Sequence, residues 1–216
     1  MAARWLVGRA RRVVTFGYWR GRFEAFAFDY RNGVDTRPVY LAELHIESDN
    51  LDHATNSVPT SERSFREMMS HVPADPRRFL FIDVGSGKGR ILFCAARLGF
   101  LRIVGVEFAA QLHHVAVENI RRFKLRCPGA HIESRCMDAT QLDLPPEPTV
   151  LFLYNPFDAA VMQKLVILIE KSLRSSPREL YIAYLEPRCD TLFEQTPCLE
   201  KTHSAGWFSI HRSRAD

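Results

Sequence analysis

Residues 79–89 read FLFIDVGSGKG, and this stretch decides the fold of the 216-residue chain. The unbroken apolar run over 79–82 is typical of a central parallel strand, which is buried on both faces. Asp83 ends the run, and glycines follow at alternate positions, Gly85, Gly87 and Gly89. Because glycine has no Cβ, this spacing predicts a tight turn on which a ligand can lie against the backbone. Ligands bind at such carboxyl ends of parallel strands.

Strand-like and helical patterns alternate along the chain beyond this turn. The strand-like runs cover residues 79–84, 103–107, 132–136, 150–154 and 180–185, and apolar residues at helical spacing fill most of the intervals. Such alternation predicts parallel strands joined by crossover helices. In the tail, two further runs flank a turn at Ser204-Ala205-Gly206 and predict a hairpin. We therefore expect an α/β, doubly wound, mostly parallel seven-stranded sheet with an antiparallel C-terminal hairpin strand.

The composition is that of an ordinary globular protein, with 46% hydrophobic and 25% charged residues. The net charge of +4 is uneven, because several arginines precede the first acidic residue, Glu24: Arg4, Arg9, Arg11, Arg12, Arg20 and Arg22. The rest of the chain is slightly acidic, which disfavours the broad basic face of a nucleic-acid-binding protein. We expect an N-terminal extension over 1–55, one α/β domain over 56–216, and contact with an anionic surface only through residues 1–22.

Targeting and metal-binding signals are absent from the sequence. The longest apolar runs of the arginine-rich arm are far shorter than a signal-peptide core, and no stretch approaches the length of a membrane span. We therefore expect a cytoplasmic protein. The five cysteines are widely spaced and include no Cys-x-x-Cys pair, so we expect neither a disulfide framework nor a structural zinc site.

Glycine-rich turns serve several classes of ligand, and three alternatives apply to residues 83–89. A Walker loop requires glycine six residues before Lys88 and Ser or Thr after it, but Ile82 and Gly89 stand there. A dinucleotide fingerprint requires glycine at position 90, which is Arg90, so an NAD(P)-dependent oxidoreductase is disfavoured and stays open. The observed spacing is Gly-x-Gly-x-Gly, which is the third alternative.

Residues 81–89 resemble the first motif of the class I, Rossmann-like S-adenosylmethionine-dependent methyltransferases, an apolar strand followed by an acidic residue and Gly-x-Gly-x-Gly. The resemblance covers about residues 56–211 and continues after the next two strands, where the family's acidic residue binds the ribose hydroxyls and a later position contacts the adenine. It implies S-adenosyl-L-methionine as cofactor. The implied binding residues are Asp83, Gly85, Ser86, Gly87, Gly89, Glu107, Phe108, Asp138 and Ala139.

The candidate acceptor site is Tyr154-Asn155-Pro156-Phe157, directly after the fourth strand. It resembles the Asn/Asp-Pro-Pro-Tyr/Phe motif of the amino-methylating branch, with one proline missing. The resemblance implies that the Asn155 amide oxygen and a backbone carbonyl accept N–H bonds while the aromatic ring stacks on the acceptor, and that Asn155 also borders the cofactor. The missing proline displaces the ring and disfavours a planar nucleobase or a glutamine as the acceptor. The alternative is an ordinary Asn-Pro turn with Phe157 in the core and Asp158 capping the next helix.

The first motif together with Val106-Glu107-Phe108 also resembles the non-SET protein-lysine methyltransferases and little-characterised bacterial relatives. A protein lysine or a small-molecule nitrogen is therefore the expected acceptor. A lysine must lose a proton before it attacks, and the nearest candidate bases are Tyr154 and Glu186.

In the non-SET protein-lysine methyltransferases the segment before the first strand reaches over the cofactor. The resemblance therefore implies Thr60 as a further cofactor contact, although Thr60 or Ser61 can equally cap a helix. A non-catalytic S-adenosylmethionine-binding module is the other alternative.

Overall fold

The structure is a computed structural model that describes residues 23–39 and 60–214. The arginine-rich arm, residues 1–22, lies outside the described residues. The helices are α1 (23–32), α2 (Glu62–Met69), α3 (Arg90–Leu98), α4 (Ala110–Lys124), α5 (Ala159–Ser175) and α6 (Asp190–Glu194), with a 3-10 turn at Ala139–Gln141. The strands are β1 (Leu80–Val84), β2 (Arg102–Glu107), β3 (His131–Cys136), β4 (Thr149–Tyr154), β5 (Leu180–Leu185), β6 (Leu199–Ser204) and β7 (Phe208–Ser213).

The seven strands form one sheet in the order β3-β2-β1-β4-β5-β7-β6. The first five strands pair in parallel, and β7 is antiparallel to both β5 and β6. The predicted fold class, including the antiparallel C-terminal hairpin, is confirmed. Because β1 lies between β2 and β4, the turn that follows β1 is flanked by the ends of both neighbours.

The sheet is covered on both faces by buried apolar side chains, which explains the unbroken apolar run of β1. On one face, Phe65 of α2 packs edge-on against Phe81 of β1 and Phe152 of β4, with ring centroids 5.8 and 5.5 Å apart. On the other face, Leu80 and Ile82 lie in a cluster with Met162 and Leu165 of α5 and Phe193 of α6. Each fully buried side chain of this size contributes roughly 1.5–3 kcal/mol, so β1 is anchored from both sides.

Residues 23–39, part of the N-terminal extension expected from the sequence, pack onto the sheet domain. Phe28 and Val34 belong to the same core cluster as α2 and α3, and only 3% and 8% of their surface is exposed. Three polar residues of this segment are also buried: Asp29, Asn32 and Thr36. Buried polar groups need partners. Asp29 and Thr36 bond to Arg90, directly after the glycine turn, whereas Asn32 bonds to Arg97 at the other end of α3.

No helix in residues 23–39 or 60–214 is both long and apolar enough to cross a membrane. All five cysteines are free thiols. Within the described ranges there is no group of three His, Cys, Asp or Glu residues that could hold a metal ion.

Candidate cofactor and acceptor site

The glycine turn joins β1 to α3 and is held against β2. Gly85, Gly87 and Gly89 have φ angles of 80°, 53° and 89°, in the left-handed region that residues with a side chain rarely adopt. The amides of Gly85 and Ser86 both donate to the Val106 carbonyl oxygen, at 2.9 and 3.0 Å. α3 begins at Arg90, so its N-terminal amides lie directly after the turn, where they favour a carboxylate.

Two glycines are required because neighbouring atoms approach them closely. A Cβ added at Gly105 of β2 would lie 2.7 Å from Ser86 Oγ, and a Cβ added at Gly85 would lie 2.9 Å from the Cβ of Pro156. The Ser86 hydroxyl is buried, and among the described residues it has no hydrogen-bond partner. The turn is therefore a backbone cradle to which the Ser86 hydroxyl adds a polar group. Such a surface fits a ligand that lies against the backbone.

Two buried carboxylates lie beside this cradle, Asp83 at the end of β1 and Glu107 at the end of β2, each with 3% of its surface exposed. Glu107 Oε2 accepts the Gly87 amide at 2.8 Å, and Oε1 accepts the Ala109 amide at 2.9 Å. Burial raises the pKa of Glu107, and these amide bonds oppose that rise. Burial, and secondarily the charge of Glu107, raises the pKa of Asp83 well above its ordinary value. A cationic ligand would favour the charged form of both carboxylates.

The third predicted acidic residue, Asp138, lies just beyond the end of β3. Its Oδ1 accepts the Thr140 amide and the Thr140 hydroxyl, both at 2.8 Å, which caps the short 3-10 turn. Ala139 is buried and Phe108 is partly exposed. The acidic positions predicted after three successive strands are therefore brought to one edge of the sheet, at the ends of β1, β2 and β3.

The predicted acceptor motif follows β4, on the other side of β1. Among the described residues, two non-glycine residues have a clearly positive φ, Asn155 at 38° and Glu186 at 48°, and they follow the adjacent strands β4 and β5. The Tyr184 hydroxyl donates to Asn155 Oδ1 at 3.4 Å and accepts the Cys189 amide at 3.2 Å. The Tyr154 hydroxyl donates to Glu186 Oε1 at 3.1 Å. Strained backbone of this kind is concentrated at functional sites.

The motif divides between the site and the core. Phe157 has 7% of its surface exposed and lies in the core cluster beneath α5. Asp158 Oδ1 accepts the amides of Ala160 and Val161 at 3.0 and 3.2 Å, so it caps α5 as the sequence predicted. Pro156 is buried against the glycine turn, and Tyr154 is partly exposed.

The segment before β1 shows which residue caps α2. Ser61 Oγ accepts the Ser64 amide at 3.0 Å and is the N-cap, whereas Thr60 precedes the cap and has 6% of its surface exposed. The capping role is therefore taken by Ser61.

Sequence reasoning missed two sets of residues. Tyr184, which orients the Asn155 amide, is one residue of an ordinary apolar strand and carries no motif. Arg90, directly after the turn, is buried against Asp29 and Thr36, and Lys88 Nζ lies 3.6 Å from Asp35 Oδ1. The buried polar residues Asp29 and Thr36 gave no signal, because their partner Arg90 lies more than fifty positions away along the chain.

Residues 82–176, a little under half of the chain, match the family model of a methyltransferase domain. No curated protein matches the chain. Among solved structures, an RNA methyltransferase from Salinibacter ruber, in complex with S-adenosyl-L-homocysteine, is 23% identical with a TM-score of 0.52, over 72% of this chain and 92% of that one. The PH0226 protein from Pyrococcus horikoshii is 13% identical with a TM-score of 0.50, over 72% of this chain and 92% of that one.

A predicted N6-adenine-specific DNA methylase from Listeria monocytogenes is 15% identical with a TM-score of 0.54, over 73% of this chain but only 52% of that one. At these identities the solved structures support the fold, and the family model supplies the activity. The glycine turn beside two buried carboxylates agrees with the solved structures and with the family model. The match to the family model favours a methyl donor over a dinucleotide as the ligand. The chain therefore carries a class I, S-adenosylmethionine-dependent methyltransferase domain.

Proposed function

We propose that the enzyme transfers a methyl group to a nitrogen atom of a protein lysine or of a small-molecule amine. The observation that carries this proposal is the grouping of Tyr154, Asn155 and Glu186 at the ends of β4 and β5. Pro156 of the same motif lies against Gly85 of the cofactor turn, so the grouping borders the methyl donor's cradle. Polar acceptor groups next to a donor site are what a nitrogen acceptor requires.

The residues predicted to hold S-adenosylmethionine fit a cationic ligand that also bears a carboxylate. We assign the methionine end to Asp83, the glycine turn and the first amides of α3, with Thr60 as a further contact. We assign the ribose to Glu107 and the adenine to Asp138, Ala139 and Phe108, and Asn155 borders the cofactor. S-adenosylmethionine supplies a methyl group on a sulfonium, which is already activated, so the chain works mainly by alignment.

Glu186 and Tyr154 divide the handling of the acceptor amine. Burial and the neighbouring Glu186 raise the pKa of Tyr154 to about 12, so the phenol keeps its proton near neutral pH. Its hydroxyl therefore donates a hydrogen bond to the Glu186 carboxylate. Glu186 is an exposed carboxylate next to the motif, which suits it to attract an ammonium and to receive its proton. The Asn155 amide, held by Tyr184, presents an oxygen that accepts an N–H bond and directs the nitrogen lone pair.

The position of Phe157 favours a flexible amine over a planar base. In the related motif an aromatic ring stacks on the acceptor, but here Phe157 is in the core, and Tyr154 is the partly exposed ring of this motif. A flexible amine needs a charge and an N–H acceptor more than it needs a stacking surface. Protein lysine therefore suits the site better than a nucleobase.

The test is a labelled-methyl transfer assay against proteome and metabolite fractions, followed by hydrolysis and mass spectrometry to identify the methylated atom. Glu186→Gln keeps the side-chain shape and removes the charge, so we expect the catalytic efficiency toward amines to fall about 10- to 100-fold. Its affinity for S-adenosylhomocysteine should stay unchanged. The matched control is Glu179→Gln, an exposed carboxylate before β5 that pairs with Arg212 at 3.3 Å.

Label found on oxygen or carbon would overturn the nitrogen assignment. Equal loss of transfer in both glutamine variants would remove the role given to Glu186. Cofactor binding without transfer to any acceptor in any fraction would support the non-catalytic alternative.

A second proposal concerns the N-terminal arm, which we expect to dock on an anionic surface. The arm carries six arginines before Glu24, and the helix that follows it exposes aromatic side chains along one side: Phe23, Phe26 and Tyr30. Aromatic rings beside clustered arginines suit a negatively charged lipid interface. The cytoplasmic location expected from the sequence stays a prediction.

A further inference from the structure

We propose that residues 29–37, here called the strap, hold the cofactor turn in its binding conformation. Asp29, Asp35 and Thr36 are then positioning residues for S-adenosylmethionine, acting through Lys88 and Arg90. The functional cofactor unit accordingly starts well before position 56 and extends beyond residues 82–176 that match the family model. This inference rests on the cofactor site and is independent of the acceptor.

The first fastening is a closed triangle around Arg90, the first residue of α3. Its Nε donates to Thr36 Oγ1 at 2.7 Å, and its Nη2 donates to Asp29 Oδ1 at 3.2 Å. The Thr36 hydroxyl donates to the same Asp29 oxygen at 2.5 Å, and the Thr36 amide donates to Asp29 Oδ2 at 3.0 Å. Arg90 has 6% of its surface exposed, and its Nη2 also donates to the Ala25 carbonyl oxygen at 3.4 Å. Removing Asp29 or Thr36 would leave the buried guanidinium without part of its hydrogen bonding.

A cation–π contact adds to this fastening. The Arg90 guanidinium carbon lies 4.7 Å from the centre of the Phe28 ring, and Phe28 is itself in the core. The aromatic face favours a positive charge, and burial strengthens the attraction. The start of α3 is therefore fixed to α1 as well as to the strap.

The second fastening holds Lys88, inside the turn. Asn119 of α4 donates from Nδ2 to the Lys88 carbonyl at 3.0 Å and to the Asp35 carbonyl at 2.8 Å, while its Oδ1 accepts the Asp35 amide at 2.9 Å. The Lys88 ammonium lies 3.6 Å from the Asp35 carboxylate. One buried amide thus bridges the backbone of the strap to the backbone of the turn, and an ion pair closes the gap between them.

These contacts bear on ligand affinity because the turn is rich in glycine. Glycine loses more conformational freedom on ordering than any other residue, and three of the five residues from 85 to 89 are glycines. If the turn is ordered before the ligand arrives, binding does not carry that cost. Loss of the strap should therefore weaken cofactor binding without removing any group that touches the cofactor.

Asn32, which belongs to the strap and is also the last residue of α1, contacts the far end of α3 and provides a matched control. Arg97, in the last turn of α3, donates from Nη2 to Asn32 Oδ1 at 2.6 Å. This bond also joins the N-terminal segment to α3, but seven residues after the start of the helix. Arg97→Ala therefore loosens the same segment without touching the turn.

The experiment measures S-adenosylhomocysteine affinity by calorimetry and amide hydrogen exchange of the ligand-free full chain in peptides spanning residues 84–92. Thr36→Val removes the hydroxyl that Arg90 contacts, and Asn119→Asp removes both amide donors. We expect each to weaken affinity about tenfold and to accelerate exchange in the turn, while the sheet peptides exchange as before. Arg97→Ala should leave affinity and turn exchange within about twofold of the parent protein.

Asp35→Asn serves if a buried variant fails to fold, because Asp35 is partly exposed and its loss removes only the charge facing Lys88 and Arg37. It should weaken affinity by about threefold, with faster exchange in the turn. Unchanged affinity and unchanged amide exchange in a folded Asp35→Asn variant would overturn the role given to the strap. A loss of affinity in Arg97→Ala equal to that in the strap variants would also overturn it. Neither readout depends on methyl transfer, so a wrong acceptor assignment would leave both unaffected.

Discussion

Gly85 of the cofactor turn and Pro156 of the acceptor motif are in contact, so closely that a Cβ at position 85 would lie 2.9 Å from Pro156 Cβ. The turn follows β1 and the motif follows β4, which are neighbours in the sheet. The candidate donor site and the predicted acceptor site therefore share one packed wall. The contact has no room for an added side chain, so a larger residue at position 85 must displace one of the two loops.

Gly85→Ala should abolish measurable S-adenosylhomocysteine binding in calorimetry and cost about 1–3 kcal/mol of stability, because a side chain at φ 80° is strained and meets Pro156. Gly206→Ala is the matched control, with φ 78° and nothing within 4 Å of the added Cβ. It should show similar backbone strain and unchanged affinity. Equal affinities in the two variants would mean that the wall between the sites tolerates displacement.

Asp83→Asn should stabilise the ligand-free protein at pH 7–8 by roughly 1 kcal/mol while weakening S-adenosylhomocysteine binding. The folded state raises the pKa of Asp83, so the folded protein retains a proton that the unfolded chain releases above about pH 4. Stability is thus lost as the pH rises through the folded-state pKa, and an uncharged isostere avoids that loss. Thermal unfolding with calorimetry measures both effects, and Asp143→Asn, at an exposed aspartate, is the control. A destabilised Asp83→Asn would contradict this account.

Binding of S-adenosylmethionine should release protons. A cationic ligand beside Asp83 favours the carboxylate and lowers the pKa that burial has raised, so affinity should increase with pH through the titration of the free protein. Calorimetry in buffers of different ionisation enthalpy measures the number of protons released. Asp83→Asn should reduce that number, and identical proton release in the variant would assign the linkage to another group.

The stability of the hairpin should fall in mild acid because of His211. This side chain is fully buried, with Nε2 2.7 Å from Asp190 Oδ1, and burial lowers its pKa although Asp190 opposes the effect. The folded state therefore resists the proton that the unfolded chain takes up below about pH 6.5. Stability is present above that value and is lost as the pH falls toward the folded-state pKa.

Thermal unfolding between pH 5 and 8 tests the histidine. His211→Gln should flatten the pH dependence by roughly 1 kcal/mol over this range, whereas His131→Gln, at an exposed position, should leave it intact. At still lower pH, Asp190 adds a second loss of stability. Burial raises its pKa, but its hydrogen bonds with Lys201, Ser209 and His211 outweigh burial and hold the pKa below the ordinary value. A parallel pH profile in His211→Gln would contradict the assignment.

The sequence alone determined the features that depend on neighbouring residues. The apolar run of β1, the alternate glycines and the acidic residues after three successive strands are local patterns. A parallel sheet brings the ends of its strands to one edge, so local patterns sufficed to predict that the candidate cofactor residues lie together. Asp158 as the cap of α5 followed in the same way, because capping acts within one helical turn.

Only the tertiary structure decided which side chains complete the site. Arg90 bonds to Asp29 and Thr36, more than fifty residues earlier in the chain, and Asn155 bonds to Tyr184 on the next strand. No periodicity or spacing in the sequence predicts these pairs. The place of Phe157 was undecided for the same reason, because whether its ring packs inward depends on the space beneath α5. Hydrogen bonds and burial depend on distance in space, so partners far apart in sequence are known only after the chain has folded.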